Sequence, residues 1–132
     1  MSAAEFVPGP FEWAQDVPYT PVVVVGNLVF LAGHAPIGDD GEVIDGDFEA
    51  QLRQCYANLS VSLKSVGGDL SSLVSITVML SDLADYDIYK RVRLEYLSPP
   101  YPATAGFAAT MLYPKMRVGL VHGIAVLPAS AA

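Results

Sequence analysis

The sequence predicts an α+β fold, a mixed β-sheet with two helices on one face, and three observations predict it. Val22-Val23-Val24-Val25 and Leu28-Val29-Phe30-Leu31-Ala32 flank Gly26-Asn27, the pattern of a hairpin closed by a two-residue turn. Phe48, Leu52, Cys55, Leu59, Leu63 and Val66 recur at steps of three and four, forming one stripe of an amphipathic helix over Asp47 to Val66. Ser72 to Leu80 is then rich in β-branched residues, a second helical segment follows, and two apolar runs close the chain. Hairpin, helix, strand, helix and two strands assemble as one sheet under one helical layer. Residues 1–132 are expected to form this single domain, with 1–16 as an N-terminal arm.

Taken in order, the arm has Pro8 and Pro10 breaking any regular pattern, then Phe11 and Trp13, and reads as a segment laid along the surface. The hairpin lacks polar alternation, so both of its faces should be covered, one by helices and the other by a neighbouring subunit. Gly33-His34-Ala35-Pro36 ends its second strand, where glycine permits close approach of a ligand and proline stops ladder pairing. Ile37 to Gly46 is an acidic loop without the ligand spacing of an EF-hand. Asp45 or Asp47 can cap the first helix, and Gly67-Gly68 can close it. Ser72 to Leu80 reads as a central strand. Ser81-Asp82 signals the start of a second helix running to about Leu97, with Leu83, Tyr86, Tyr89 or Val92, and Tyr96 inward, before Pro99-Pro100. Tyr101 to Pro128 reads as two strands joined by a polar turn at Tyr113-Pro114-Lys115-Met116. Thr104 on the first and His122 on the second are the residues that packing alone does not explain.

Composition narrows the function. A chain that is 52% hydrophobic and 16% charged can build a core, and its scarcity of polar surface favours a homo-oligomer. A net charge of −7 lacks the basic surface that nucleic-acid binding requires. The longest apolar run, Pro21 to Ala32, is too short to span a bilayer, and MSAAEFVPGP lacks the features of a signal peptide. A cytoplasmic protein with a small-molecule substrate, no nucleic acid and no membrane partner is expected. The single Cys55 falls on the helical stripe and reads as a core residue.

No phosphate-binding glycine loop, Walker sequence, His/Cys metal cluster or G-x-S-x-G elbow is present, so no cofactor and no metal are expected. The titratable candidates are His34 and His122. A neutral histidine acts as general acid or base given one substrate contact and one orienting hydrogen bond. The sequence leaves each open between that role and a packed or exposed side chain.

From about Pro18 to Val126 the chain resembles the Rid family, also called YjgF or L-PSP endoribonucleases. Val17-Pro18-Tyr19 resembles the family's Pro-Tyr entry; Gly26-Asn27 and Ala32-Gly33-His34-Ala35-Pro36 resemble its Gly-Asn turn and Ser-Gly-Gln-x-Pro segment. Glu49-Ala50-Gln51, Asn58 and Gly67-Gly68 are similar to its first helix and cap. Asp82-Leu83-Ala84-Asp85-Tyr86 is similar to its Asp-Leu-x-Asp-Phe segment, and Tyr101-Pro102-Ala103 to the Phe-Pro-Ala before its catalytic strand. The resemblance implies a chorismate-mutase-like fold assembled as a homotrimer with three intersubunit pockets. It also implies hydrolysis of reactive enamines and imines to keto acids and ammonia, the substrate carboxylate being gripped by an arginine after Pro-Ala.

Thr104 stands where that arginine is expected, Gly106 where many members have Cys, His122 where many have Glu, and His34 in place of the Gln beside Gly33. Lys90 and Arg93 occupy positions where many members have Asn and Tyr. The expected catalytic set is therefore His122 with Thr104 and His34, and the expected substrate contacts are Tyr19, Gly33, Lys90, Arg93, Gly106 and Phe107. Deamination, tautomerisation or hydration of an unsaturated carbonyl compound is one reading. A cation relocated to Arg93 or Lys90, three apart on one helical face, is a second, and a non-catalytic trimeric ligand-binding protein is a third.

Overall fold

The computed structural model describes residues 3–128. Six strands, β1 (Glu5–Val7), β2 (Val22–Val25), β3 (Leu28–Leu31), β4 (Leu73–Leu80), β5 (Ala103–Ala108) and β6 (Val118–Val126), form one sheet in the order β1-β2-β3-β6-β4-β5. Two helices, α1 (Phe48–Lys64) and α2 (Tyr86–Val92), accompany it. β5 runs parallel to β4 and all other pairings are antiparallel, so the sheet is mixed as expected.

The hairpin forms where the sequence places it. Val25 pairs with Leu28, and Gly26 takes φ 61, which costs a residue without a Cβ little. Helix α1 begins at Asp47, whose carboxylate accepts the Ala50 N–H at 2.8 Å. Its stripe of Phe48, Leu52, Cys55, Leu59 and Leu63 is buried against Val29, Leu31, Val78 and Leu120 of the sheet. Each such aliphatic side chain contributes about 1.5–3 kcal/mol relative to exposure, which makes this stripe the main fastening of the helical layer.

Three expectations are corrected. The arm is not wholly irregular: Glu5–Val7 extends the sheet by pairing with Val22–Val24, and Glu12–Ala14 forms a 3₁₀ turn. Three residues are too few to display a period. The second helix is seven residues rather than a run to Leu97, because 3₁₀ turns at Leu83–Asp85 and Arg93–Glu95 flank it. That change of pitch turns Leu83 and Tyr86 outward, while Tyr89 and Val92 are buried. The last two strands, finally, are not neighbours. β4 lies between β5 and β6, so residues 109–117 cross the strand end rather than close a hairpin.

The sheet face away from the helices is apolar and uncovered in the single chain. Phe30 is 41% exposed, Phe107 is 48% exposed, and Leu28 and Val126 face each other across the β3–β6 ladder.

Candidate functional site

The expected site residues fall into three places. Tyr19, Gly33 and His34 line one cavity, Thr104 and Arg93 line another, and His122 and Phe107 lie exposed on the sheet. Lys90 and Gly106 line neither cavity.

The first cavity, about 370 Å³, lies under the arm. Its walls include Phe11 and Trp13, Tyr19, His34, Met79 and Leu112. Phe11 and Trp13 stack with ring centroids 5.1 Å apart, a geometry that holds both rings against the cavity. Sequence reasoning placed them on the arm without a function. An aromatic pair two residues apart beside Pro8 and Pro10 was the signal available.

His34 is buried, and both of its ring nitrogens are engaged within the chain. Nδ1 lies 2.7 Å from the Ala32 carbonyl, which only accepts, so Nδ1 carries the proton and Nε2 accepts from the Ser62 hydroxyl at 2.8 Å. Burial pushes the imidazole below its usual range, with the Ala32 bond opposing in part. The ring is thereby held neutral and has no free nitrogen for a ligand. Its backbone exchanges two hydrogen bonds with Leu120, at 2.7 and 3.1 Å, which ties the end of the β3 segment to β6. Partial burial, and then the neighbouring Tyr113, raise the Tyr19 phenol, so it remains a donor at neutral pH.

Two buried amides of α1 fix the loops around this cavity. Asn58 donates to the carbonyls of Ala35 and Ile37 at 3.1 and 2.9 Å, and Gln51 donates to Lys115 O at 2.8 Å while accepting the Arg117 N–H at 2.7 Å. These contacts explain why a helix otherwise built on an apolar stripe carries amides on its buried side.

The second cavity, about 210 Å³, is lined by Arg93, Leu94, Leu97, Tyr101, Pro102 and Thr104. Arg93 stacks over the Tyr89 ring at 5.1 Å and has no carboxylate partner among the described residues. Lys90 differs. Its ammonium pairs with Asp87 at 3.2 Å and lies over the Tyr86 ring at 5.1 Å. The two cations do lie along one helical face, on stacked Tyr86 and Tyr89, but only Arg93 reaches a cavity. Thr104 donates its hydroxyl to Pro102 O at 2.9 Å, which leaves the oxygen as an acceptor only.

His122 is the one non-glycine residue with positive φ, 55°, among the described residues. Ser75 pairs with Ile124 and Thr77 with Val121, so β6 spends one residue more than β4 over this step. The result is a bulge at His122-Gly123, a device that re-aims a side chain and is held against local strain by the surrounding ladder. His122 is exposed there. Gly106 has a packing role: a Cβ on it would meet Val78 Cγ1 at 2.9 Å.

Among the described residues, no group of three or more His, Cys, Asp or Glu gathers as a metal site. The Cys55 thiol is buried on α1 and pushed above its usual range by desolvation, the condition of an inert thiol.

A family model described as Endoribonuclease L-PSP matches residues 12–126, nearly the whole of this architecture. The chain belongs to the Rid, or L-PSP endoribonuclease, family. It is 38% identical over 96 residues to a RutC family protein of Sinorhizobium fredii, covering 72% of this chain and 76% of that protein. It is 34% identical over 96 residues to the chloroplastic Reactive Intermediate Deaminase A of Arabidopsis thaliana, covering 72% of this chain and 51% of the relative. The crystal structure of RidA from an Antarctic Psychrobacter superposes with a TM-score of 0.78 at 28% identity, covering 92% of this chain and 94% of that one. As a Rid protein the chain shares its overall fold with that crystal structure. Among its described residues, no helix is long and apolar enough to cross a membrane.

Proposed function

We propose that this Rid protein is a cytoplasmic, deaminase-like enzyme that acts on a small imine, enamine or related unsaturated carbonyl compound in the intersubunit pockets of a homotrimer. The observation that carries the reading is Arg93, a cation without a carboxylate partner among the described residues, lining a cavity with Thr104. A guanidinium so placed offers a substrate carboxylate two parallel N–H donors, which a threonine at the Pro-Ala-following position does not. The deaminase named among the relatives supports the reaction class.

The trimer is supported by the exposed apolar side chains of Leu28, Phe30 and Val126 on the neighbouring strands β3 and β6, since exposed apolar surface marks an interface. In such an assembly, residues that one chain keeps apart are completed by a neighbour's. His122, exposed on its bulge, then serves as the acid-base group. Water adds to the imine carbon while His122 takes one of its protons and delivers it to the nitrogen, giving a carbinolamine; the carbinolamine hydroxyl then gives up its proton, which His122 passes to the amine as the C–N bond breaks and the C=O bond forms. The products are a carbonyl compound and ammonia.

A second reading, a trimer that binds such ligands without turning them over, is favoured by one observation. Two expected catalytic groups are spent inside the chain, His34 on Ala32 and Ser62, and Thr104 on Pro102. Ammonia release from iminopropionate and larger imino acids, generated in place by an amino-acid oxidase, separates the two. Turnover that falls about 10²–10⁴-fold in His122→Ala supports catalysis. Absence of turnover with retained carboxylate binding supports the second reading.

A further inference from the structure

Along residues 86–96 both acidic side chains are committed to cations other than Arg93. Asp87 pairs with Lys90 at 3.2 Å, and Glu95, the nearest carboxylate to Arg93 in sequence, is gripped through both oxygens by Arg53 at 3.3 and 2.8 Å. Arg91 in turn pairs with Glu49 of α1 at 2.6 Å. What the half-buried Arg93 has instead is a ring: its guanidinium carbon lies 5.1 Å from the centroid of Tyr89. The two residues are four apart, so one helical turn puts ring and guanidinium on the same face. Tyr89 is itself fixed, being 2% exposed and stacked on Tyr86 with centroids 6.0 Å apart. Burial raises its phenol, with Arg93 opposing that shift, so the ring is neutral at pH 7.

We infer that Tyr89 is a positioning residue for substrate binding, its ring restraining the Arg93 guanidinium at the cavity that Arg93 shares with Thr104. Tyr89 does not line that cavity, so it acts only through Arg93. A carboxylate partner would take up the paired N–H donors that a substrate needs. A ring instead restrains the cation through its quadrupole and leaves those donors to a ligand. Arginine is rich in rotamers, and freedom already lost in the free protein is not lost again on binding. The restraint therefore tightens carboxylate affinity and leaves the chemical step alone. Lys90 supplies the contrast: its contact with the Tyr86 ring is joined by Asp87, and it lines neither this cavity nor the one under the arm. The inference rests on the proposed role of Arg93 and adds to it a residue outside the cavity that sets its affinity.

Calorimetric titration of the full-length protein with pyruvate measures the effect. Tyr89→Phe, which keeps the ring face, should bind within about twofold of the wild type, and Tyr89→Leu should raise Kd about three- to tenfold. In an Arg93→Ala background Tyr89→Leu should have no further effect, a result that a general loosening of the fold does not give. Because Tyr89 is buried, a second series preserves its shape: Tyr89→Phe variants carrying one, two and three ring fluorines, which drain negative charge from the ring face at nearly constant size. Kd should climb stepwise along this series, and KM for iminopropionate should climb with it while kcat stays constant. A flat series, or an equal loss from Tyr89→Leu with and without Arg93, overturns the inference. If that occurs while Arg93→Ala alone weakens pyruvate binding, the proposed role of Arg93 survives without Tyr89. Pyruvate affinity unchanged in Arg93→Ala removes both.

Discussion

Arg93 and Thr104 line the same cavity, the first from the turn that ends α2 and the second from β5. A position that lacks a charge on one element thus lies beside an unpaired charge on another. Arg93→Ala should raise KM for an imino acid or Kd for a small carboxylate by about ten- to a hundredfold, the loss of a charge-assisted bidentate contact. Thr104→Arg in the Arg93→Ala background should recover part of that loss. Steady-state ammonia release and carboxylate titration read both. Carboxylate affinity unchanged in Arg93→Ala sends the anion elsewhere.

The buried His34 makes stability depend on pH. Its folded-state pKa lies below the unfolded value of about 6.5, because burial penalises the imidazolium. Between those two values the unfolded chain binds the proton that the folded chain refuses. Stability is therefore complete above about pH 6.5 and declines as the pH falls through that window. Thermal melts from pH 7.5 to pH 5 should show this decline in the wild type and a shallower one in His34→Gln. An unaltered slope in the variant assigns the acid sensitivity to other groups.

Gly106 packs closely against Val78. A Cβ would come within 2.9 Å of Val78 Cγ1, and valine is stiff at χ1 and fully buried here. Gly106→Ala should destabilise the chain by about 1–3 kcal/mol through overpacking, and Val78→Ala in the same chain should offset part of this. Urea titration of the two single variants and the double variant measures the coupling. Simple addition of the two losses would show that the contact does not govern the choice of glycine.

Phe30 and Leu28 test the assembly. Phe30→Glu with Leu28→Lys places charges on the exposed sheet face while leaving the Val29 and Leu31 side buried in the core. Light scattering with size-exclusion chromatography should show a homotrimer for the wild type and monomer for this variant. A wild-type monomer would remove the intersubunit pocket from the proposed function.

Much of the fold was legible in the sequence because its signals are local. The hairpin around Gly26-Asn27, the α1 stripe with its Asp47 cap and the β4 run each depend on residues within a few positions of one another. The elements misread were those whose form depends on distant partners. Glu5–Val7 is a strand because Val22–Val24 offers an unpaired edge, and β5 and β6 form no hairpin because β4 pairs with both. Of the candidate site, the family pattern located Tyr19, Gly33, Thr104 and His122 but gave no measure of which side chains are free.

The sequence by itself determined the family, the layered α+β plan and the lack of charge at Thr104. Only the tertiary structure decided how the site residues are deployed. It spends both nitrogens of His34 inside the chain, leaves Arg93 without a carboxylate beside Thr104, lifts His122 onto a bulge, and brings Phe11 and Trp13 onto a cavity. The physical reason is range. Periodicity and capping act between near neighbours, whereas hydrogen-bond satisfaction, burial and strand register are set by groups that meet only when the sheet has closed.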